Sequence, residues 1–168
     1  MTVHTDLEYI ASEAAKHEEE NQIFKQYLKI LAGSEIDATV HGIYETVKTQ
    51  VNCTDCGNCC QKLIVNITPE EIKSLSSFLQ LPEAELRAQY IEESQQGACF
   101  INRIPCHFLA EKKCTIYENR FTECRDFPHL HKAGFRERLL GTLLHYSSCP
   151  IIFNVIEQSK VALGFVTA

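Results

Sequence analysis

The chain has 168 residues, 16 Lys+Arg against 22 Asp+Glu for a formal charge of −6, and nine cysteines against one Met and no Trp. A chain of this length buries an adequate core as one domain without covalent staples, so disulfide stapling does not explain the thiols. The acidic balance lacks the basic footprint of a nucleic-acid binder, since Lys112-Lys113 is too short a run, and no apolar stretch approaches the roughly 20 residues of a membrane span. The segment Met1 to Glu8 has neither a basic n-region nor an apolar h-region. A cytoplasmic protein with reduced cysteines is therefore expected, and there a surplus of thiols goes with metal or redox chemistry.

In chain order, Leu7, Ile10 and Ala14 and then Phe24, Tyr27, Leu28 and Leu31 recur at helical spacing up to Gly33. The polar centre His17-Glu18-Glu19-Glu20-Asn21-Gln22 fits one long helix with a wet middle or two helices meeting there, and reads as a solvated face. Ser34 opens a further helix whose apolar face is Ile36, Val40, Ile43, Tyr44 and Val47. Leu63-Ile64-Val65-Asn66-Ile67 reads as a strand or extended segment. Thr68-Pro69-Glu70-Glu71 combines a Thr cap, Pro at the first helical position and Glu at the third, a capping box that predicts a helix over 69–79. Leu81-Pro82 restarts a helix with Leu86, Tyr90 and Ile91 apolar, broken at Ser94-Gln95-Gln96-Gly97. From Cys99 to Pro128 the chain reads as irregular, with one helical turn near 116–120. Two helices close it, over about 135–146 and 151–163. The expectation is a mostly α, compact single helical domain around a cysteine-rich irregular metal-binding centre, with at most short strands. Residues 1–51 supply helices that pack on or extend the core, and 52–168 form the cysteine-cluster part.

The dense cluster is Cys53-Thr54-Asp55-Cys56-Gly57-Asn58-Cys59-Cys60. A Cys-x-x-Cys pair lets two thiolates reach one metal from a single tight turn, and Gly57 supplies the backbone freedom such turns use. Two successive two-residue gaps repeat the first three ligands of the bacterial ferredoxin run, whose fourth cysteine is followed by Pro, as is Cys149 by Pro150. The vicinal Cys59 and Cys60 diverge and do not readily share one metal ion, while Cys106, Cys114 and Cys124 lack one thiolate of a tetrahedral set. The count allows two centres. One is a [4Fe-4S] cluster on Cys53, Cys56, one of Cys59/Cys60 and Cys149; the other holds Cys106, Cys114, Cys124 and the remaining vicinal cysteine. Zinc is the alternative metal, and Cys99 is left as a buried, inert thiol.

Several polar side chains accompany the cysteines. His107 adjoins Cys106, and His129 and His131 follow the Cys124–Pro128 turn; any of them is chemically able to replace a thiolate. Arg120 and Arg125 flank Cys124, where a guanidinium would offset the net −2 of four thiolates on a dication, or pair with Glu118 or Asp126 at the surface. Tyr117 reads as a core aromatic with its hydroxyl at a polar edge. His4, His17, His41 and His145 carry no functional reading, and the glycines form no nucleotide-binding pattern.

Cys53-x-x-Cys56-Gly57-x-Cys59-Cys60, Cys106-His107-Phe108-Leu109, Cys114-Thr115-Ile116-Tyr117-Glu118-Asn119-Arg120 and Cys124-Arg125-Asp126-Phe127-Pro128 together resemble the YkgJ family of cysteine-cluster proteins, over about 43–150. The family usually has Pro where this chain has Phe121, a change that removes no donor atom. The resemblance implies zinc or iron chelation. A related cysteine pattern in the flagellin lysine methylases implies that some members support enzymatic modification. Three functions follow as expectations: an iron–sulfur protein with a redox or accessory role to a modifying enzyme, a structural zinc module that recruits a partner, and a metal-dependent enzyme with one incomplete coordination sphere, using His107, His129 or a water at the open position to bind substrate. The partners expected are metal ions, with the amino-terminal helices a candidate surface for a protein partner or a homodimer.

Overall fold

The computed structural model describes residues 2–166. In chain order its helices are α1 (Leu7–Lys16), α2 (Glu18–Tyr27), α3 (Gly33–Lys48), α4 (Cys53–Cys56), α5 (Pro69–Leu79), α6 (Glu83–Tyr90), α7 (Thr122–Asp126), α8 (Phe135–Leu143) and α9 (Pro150–Ala162). The strands are β1 (Asn66–Ile67), β2 (Ile91–Glu93), β3 (Cys99–Ile101), β4 (Leu109–Ala110) and β5 (Lys113–Cys114). The fold is mostly α with short strands, and no helix among the described residues is long and apolar enough to cross a membrane. The chain divides into two compact units, one of residues 1–52 and 128–168, the other Cys53–Phe127.

The first unit is all helical. Helix α9 packs against α3 and α1, and α8 against α3. Helix α9 is buried nearly all round, through Ile151, Ile152, Phe153, Val155 and Ile156, which marks it as the central element of this unit. The acidic stretch resolves into two helices that meet at His17, whose φ of −92° and ψ of 9° interrupt the helix between α1 and α2. Its solvated-face reading needs correction, because Asn21 is buried and Glu20 pairs with the buried Lys160 at 2.8 Å. Helix α8 is started from a distance. Gly134 precedes it in the left-handed region, and the Asp37 carboxylate accepts from the amides of Gly134 and Phe135 at 2.8 and 2.9 Å, occupying donors that the helix start leaves free.

In the second unit, α5 begins with the capping box read from sequence: Glu71 N–H donates to Thr68 Oγ1 at 3.2 Å and Thr68 N–H to Glu71 Oε2 at 2.9 Å. Helix α6 ends at Tyr90, and Ile91–Glu93, expected to continue it, is a strand that pairs antiparallel with β3. With β1 on the other side of β3 this forms a three-stranded sheet in the order β1-β3-β2. The stretch expected to be irregular thus carries strands. Beyond β3 it contains the β4–β5 hairpin, with Leu109 opposite Cys114, and α7. The expected turn near 116–120 is a 3-10 helix over Tyr117–Asn119. Val65, Ile67, Ile72, Leu75, Leu86, Ile101, Phe108, Ile116 and Phe121 form the core, and Cys106, Cys114 and Cys124 pack half-buried against it.

Candidate metal centre

The cysteine segment begins as a single helical turn, α4, closed by the Gly57 amide donating to the Cys53 carbonyl at 3.2 Å. Gly57 then takes φ +59° and lies directly against the backbone of Lys112, the second residue of the β4–β5 turn. That turn is a two-residue connection with both Glu111 and Lys112 at positive φ, the twist that suits tight hairpins. A 3-10 turn over Cys59–Gln61 carries the vicinal pair, and the Cys60 carbonyl accepts from the Cys106 amide at 2.8 Å. One hydrogen bond therefore ties the first cysteine segment to the second.

Cys124 arrives on α7 by two carboxylate ties. Glu71, besides capping α5, accepts from the Thr122 amide at 2.6 Å through Oε1. Glu123 accepts from the Asn66 amide at 2.8 Å and from the Asn66 side chain at 3.0 Å, which fixes α7 to β1. Glu71 and Glu123 act as positioning residues, and spacing alone does not reveal them because each spans more than fifty residues.

All nine cysteines are free thiols. Seven of the eight in the Cys53–Phe127 unit form one electrostatic neighbourhood with Cys59 at its middle: a charge on Cys59 acts on Cys53, Cys60, Cys106, Cys114 and Cys124, and Cys56 acts on Cys53. The Cys60 thiol donates to Cys59, and with the backbone amides of Cys60 and Cys59 it draws Cys59 down to about 7 against the opposing effect of burial. The same hydrogen bond, then burial and the neighbouring thiolates, pushes Cys60 strongly up. Burial raises Cys53, Cys106 and Cys114, outweighing the amides that favour the thiolates of Cys106 and Cys114, and burial with neighbouring thiolates pushes Cys124 up to about 12. Cys53 is exposed as a residue, and desolvation is nonetheless the largest cause of its raised thiol. A group of thiols that resist ionising together is chemically matched to a cation that would compensate their charge.

The side chains around them fit that chemistry. Amides of Phe108 and Ile116 donate to Cys106 and Cys114, two residues on in each case. The Arg120 guanidinium favours the thiolate forms of Cys53 and Cys114, and it stacks 3.8 Å over the Tyr117 ring while donating to the Tyr117 carbonyl at 2.7 Å. Tyr117 is thus partly exposed beneath an arginine, not a core aromatic. Among the described residues, no group of three or more Cys, His, Asp or Glu side chains is already closed to the geometry of a metal site. The donor chemistry, a set of thiols on several segments of one unit, fits a thiophilic metal.

Cys99 is buried in the core with Arg87 Nη1 at 3.6 Å from its sulfur. Cys149 lies in the helical unit at the start of α9. His129 and His131 also belong to that unit, and His131 lies 6.1 Å from the Tyr44 ring. His107 stays in the cysteine unit, its Nε2 at 2.6 Å from Asn102 Oδ1 and its ring edge-on to Tyr90.

No solved structure matches the chain. The family model CxxCxxCC, described as "Putative zinc- or iron-chelating domain", matches residues 52–142, more than half of the chain and all of the cysteine segments just described except Cys149. On that match and these thiols, the chain belongs to the CxxCxxCC family of zinc- or iron-chelating domains.

Proposed function

We propose that the Cys53–Phe127 unit holds a thiolate-bound [4Fe-4S] cluster and that the protein serves a redox or accessory role to a modifying enzyme. The observation that carries the reading is the gathering of thiols from separate segments about Cys59. Cys53, Cys56 and Cys59 are assigned to the cluster by their ferredoxin gaps, and Cys53 has Cys59 and Cys56 as its charged thiol neighbours. Cys60, whose neighbours include Cys106 and Cys114, joins Cys106, Cys114 and Cys124 in a second, four-thiolate site. Cys149 stays a candidate by spacing alone, and its substitution tests it. When bound, such a cluster supplies one-electron transfer. The chain's part is to hold the sulfurs, to donate amides to Cys59, Cys106 and Cys114, and to offset thiolate charge with Arg120.

Protein purified without oxygen should be brown, with broad sulfur-to-iron absorption and iron matched by acid-labile sulfide. A colourless protein with stoichiometric zinc sinks the iron assignment and supports a second reading, a structural zinc module. That reading draws on the amide-to-sulfur bonds at Cys106 and Cys114, which suit a closed four-thiolate site with no open position for chemistry.

A further inference from the structure

The helical unit carries a second constellation, independent of the cysteines. A cleft of about 430 Å³ is lined by Thr2, His4, Tyr9, Glu13, His17, Phe153, Asn154, Glu157 and Gln158, a size that accommodates a small organic molecule. It is a built feature. Asn154, nine-tenths buried and more, clamps the segment ahead of α1 onto α9: its Oδ1 accepts from the His4 amide at 2.8 Å and its Nδ2 donates to the His4 carbonyl at 2.7 Å. The clamp holds the His4 ring 4.6 Å from Tyr9, with Phe153 edge-on to both, so one side of the cleft is aromatic.

The other side is acidic and organised from behind. Tyr146 Oη and Lys160 Nζ both donate to Glu157 Oε1 at 2.6 Å, which leaves Glu157 Oε2 facing His17 Nδ1 at 3.3 Å. Lys160 is buried and also pairs with Glu20, while Glu13 pairs with the exposed Lys16. Three carboxylates, Glu13, Glu20 and Glu157, are thus set against two ammonium groups, Lys16 and Lys160, and neither lysine lines the cleft. The carboxylates of Glu13 and Glu157 therefore stand beside a wall of aromatic rings with no ammonium group in the cleft lining. Aromatic faces attract organic cations, and a carboxylate behind them completes the recognition.

We propose that this cleft binds a small organic ammonium ion, with the rings of His4, Tyr9 and Phe153 against its carbon body and Glu13 and Glu157 against its charge. The test is titration of the full-length, metal-loaded protein with benzylamine, followed through the imidazole proton resonances of His4 and His17, with benzoate as the anion of the same shape. Benzylamine should shift both histidines saturably and benzoate should not. Binding should weaken about threefold in Glu13→Gln, an isosteric change at a half-buried carboxylate whose ion partner is the exposed Lys16, and about fivefold in Tyr9→Ala, which takes down half of the stacked wall. Unsaturable or absent shifts with benzylamine overturn the proposal. So does equal binding of benzoate, or unchanged affinity in both variants.

Discussion

Replacing Gly57 with alanine attacks the cysteine unit where its first segment meets the β4–β5 hairpin. A Cβ built on Gly57 comes within 2.9 Å of both the carbonyl carbon and Cα of Lys112, and closer still to the Lys112 carbonyl oxygen. The obstacle is backbone, so no side-chain rotation relieves it, and one of the two segments must move. Gly57 also sits at φ +59°, which costs a residue with a Cβ about 1–2 kcal/mol. Overpacking adds about 1–3 kcal/mol, for a combined destabilisation of about 2–5 kcal/mol. In a unit of this size that lowers the melting temperature by about 10 °C or more. Because the hairpin carries Cys114 and the segment carries Cys53 and Cys56, metal content should fall as well. Differential scanning calorimetry with elemental analysis on the same samples measures both. Gly57→Asn separates the causes, since asparagine tolerates positive φ but still brings a Cβ against Lys112. If Gly57→Ala melts within a few degrees of the parent and keeps its metal, the close approach does not position the thiols and the reasoning is refuted.

Cys59→Ser should lose most of the bound metal, whereas Cys99→Ala should retain all of it and cost about 1 kcal/mol from the partner lost by Arg87; elemental analysis of the two variants distinguishes a donor from a core thiol. Burial alone would raise Glu71, but the amides of Thr68 and Thr122 hold its carboxyl below the usual value of 4.5. Its stabilisation is therefore complete above about that pH and is lost as pH falls through the lowered value. Glu71→Gln should lose about 1 kcal/mol at neutral pH and show a flatter acid limb in urea denaturation, and an unchanged acid limb would contradict the assignment. Lys160→Met strands Glu157 and Glu20 without their shared cation and should cost about 3 kcal/mol, part of which Glu157→Gln restores in the double variant; additive losses would show that the pair is not coupled.

Much of the fold is legible along the chain because its signals are local. The capping box at Thr68 and Glu71 acts across three residues, and the structure shows both of its hydrogen bonds. Helix α5 accordingly has the span that the pattern predicts. The strands between Ile91 and Cys114 escape the same reading: each is two or three residues long, too short for an alternating pattern, and β2 follows α6 without a break. At His17 and Asn21 the polar run misleads, because the partners that remove these side chains from solvent, Tyr146 and Glu157 among them, stand well over a hundred residues away. His4 and His17 look uninformative in sequence for the same reason; only α9 turns them into the lining of a cleft.

Donor type and spacing, the two successive Cys-x-x gaps and the vicinal pair, are properties of the sequence by itself, and they suffice to indicate thiolate metal chemistry. Helical content is likewise a local property, set by apolar periodicity and caps. Tertiary structure alone decided that Cys59 is central, that Cys106 hangs from the Cys60 carbonyl, that Cys124 is delivered by Glu71 and Glu123, and that an aromatic, acidic cleft exists on the helical unit. The physical reason is common to all four. Each depends on charges, hydrogen bonds or ring contacts between residues far apart in the chain, and no local periodicity encodes which distant partner a folded backbone will bring close.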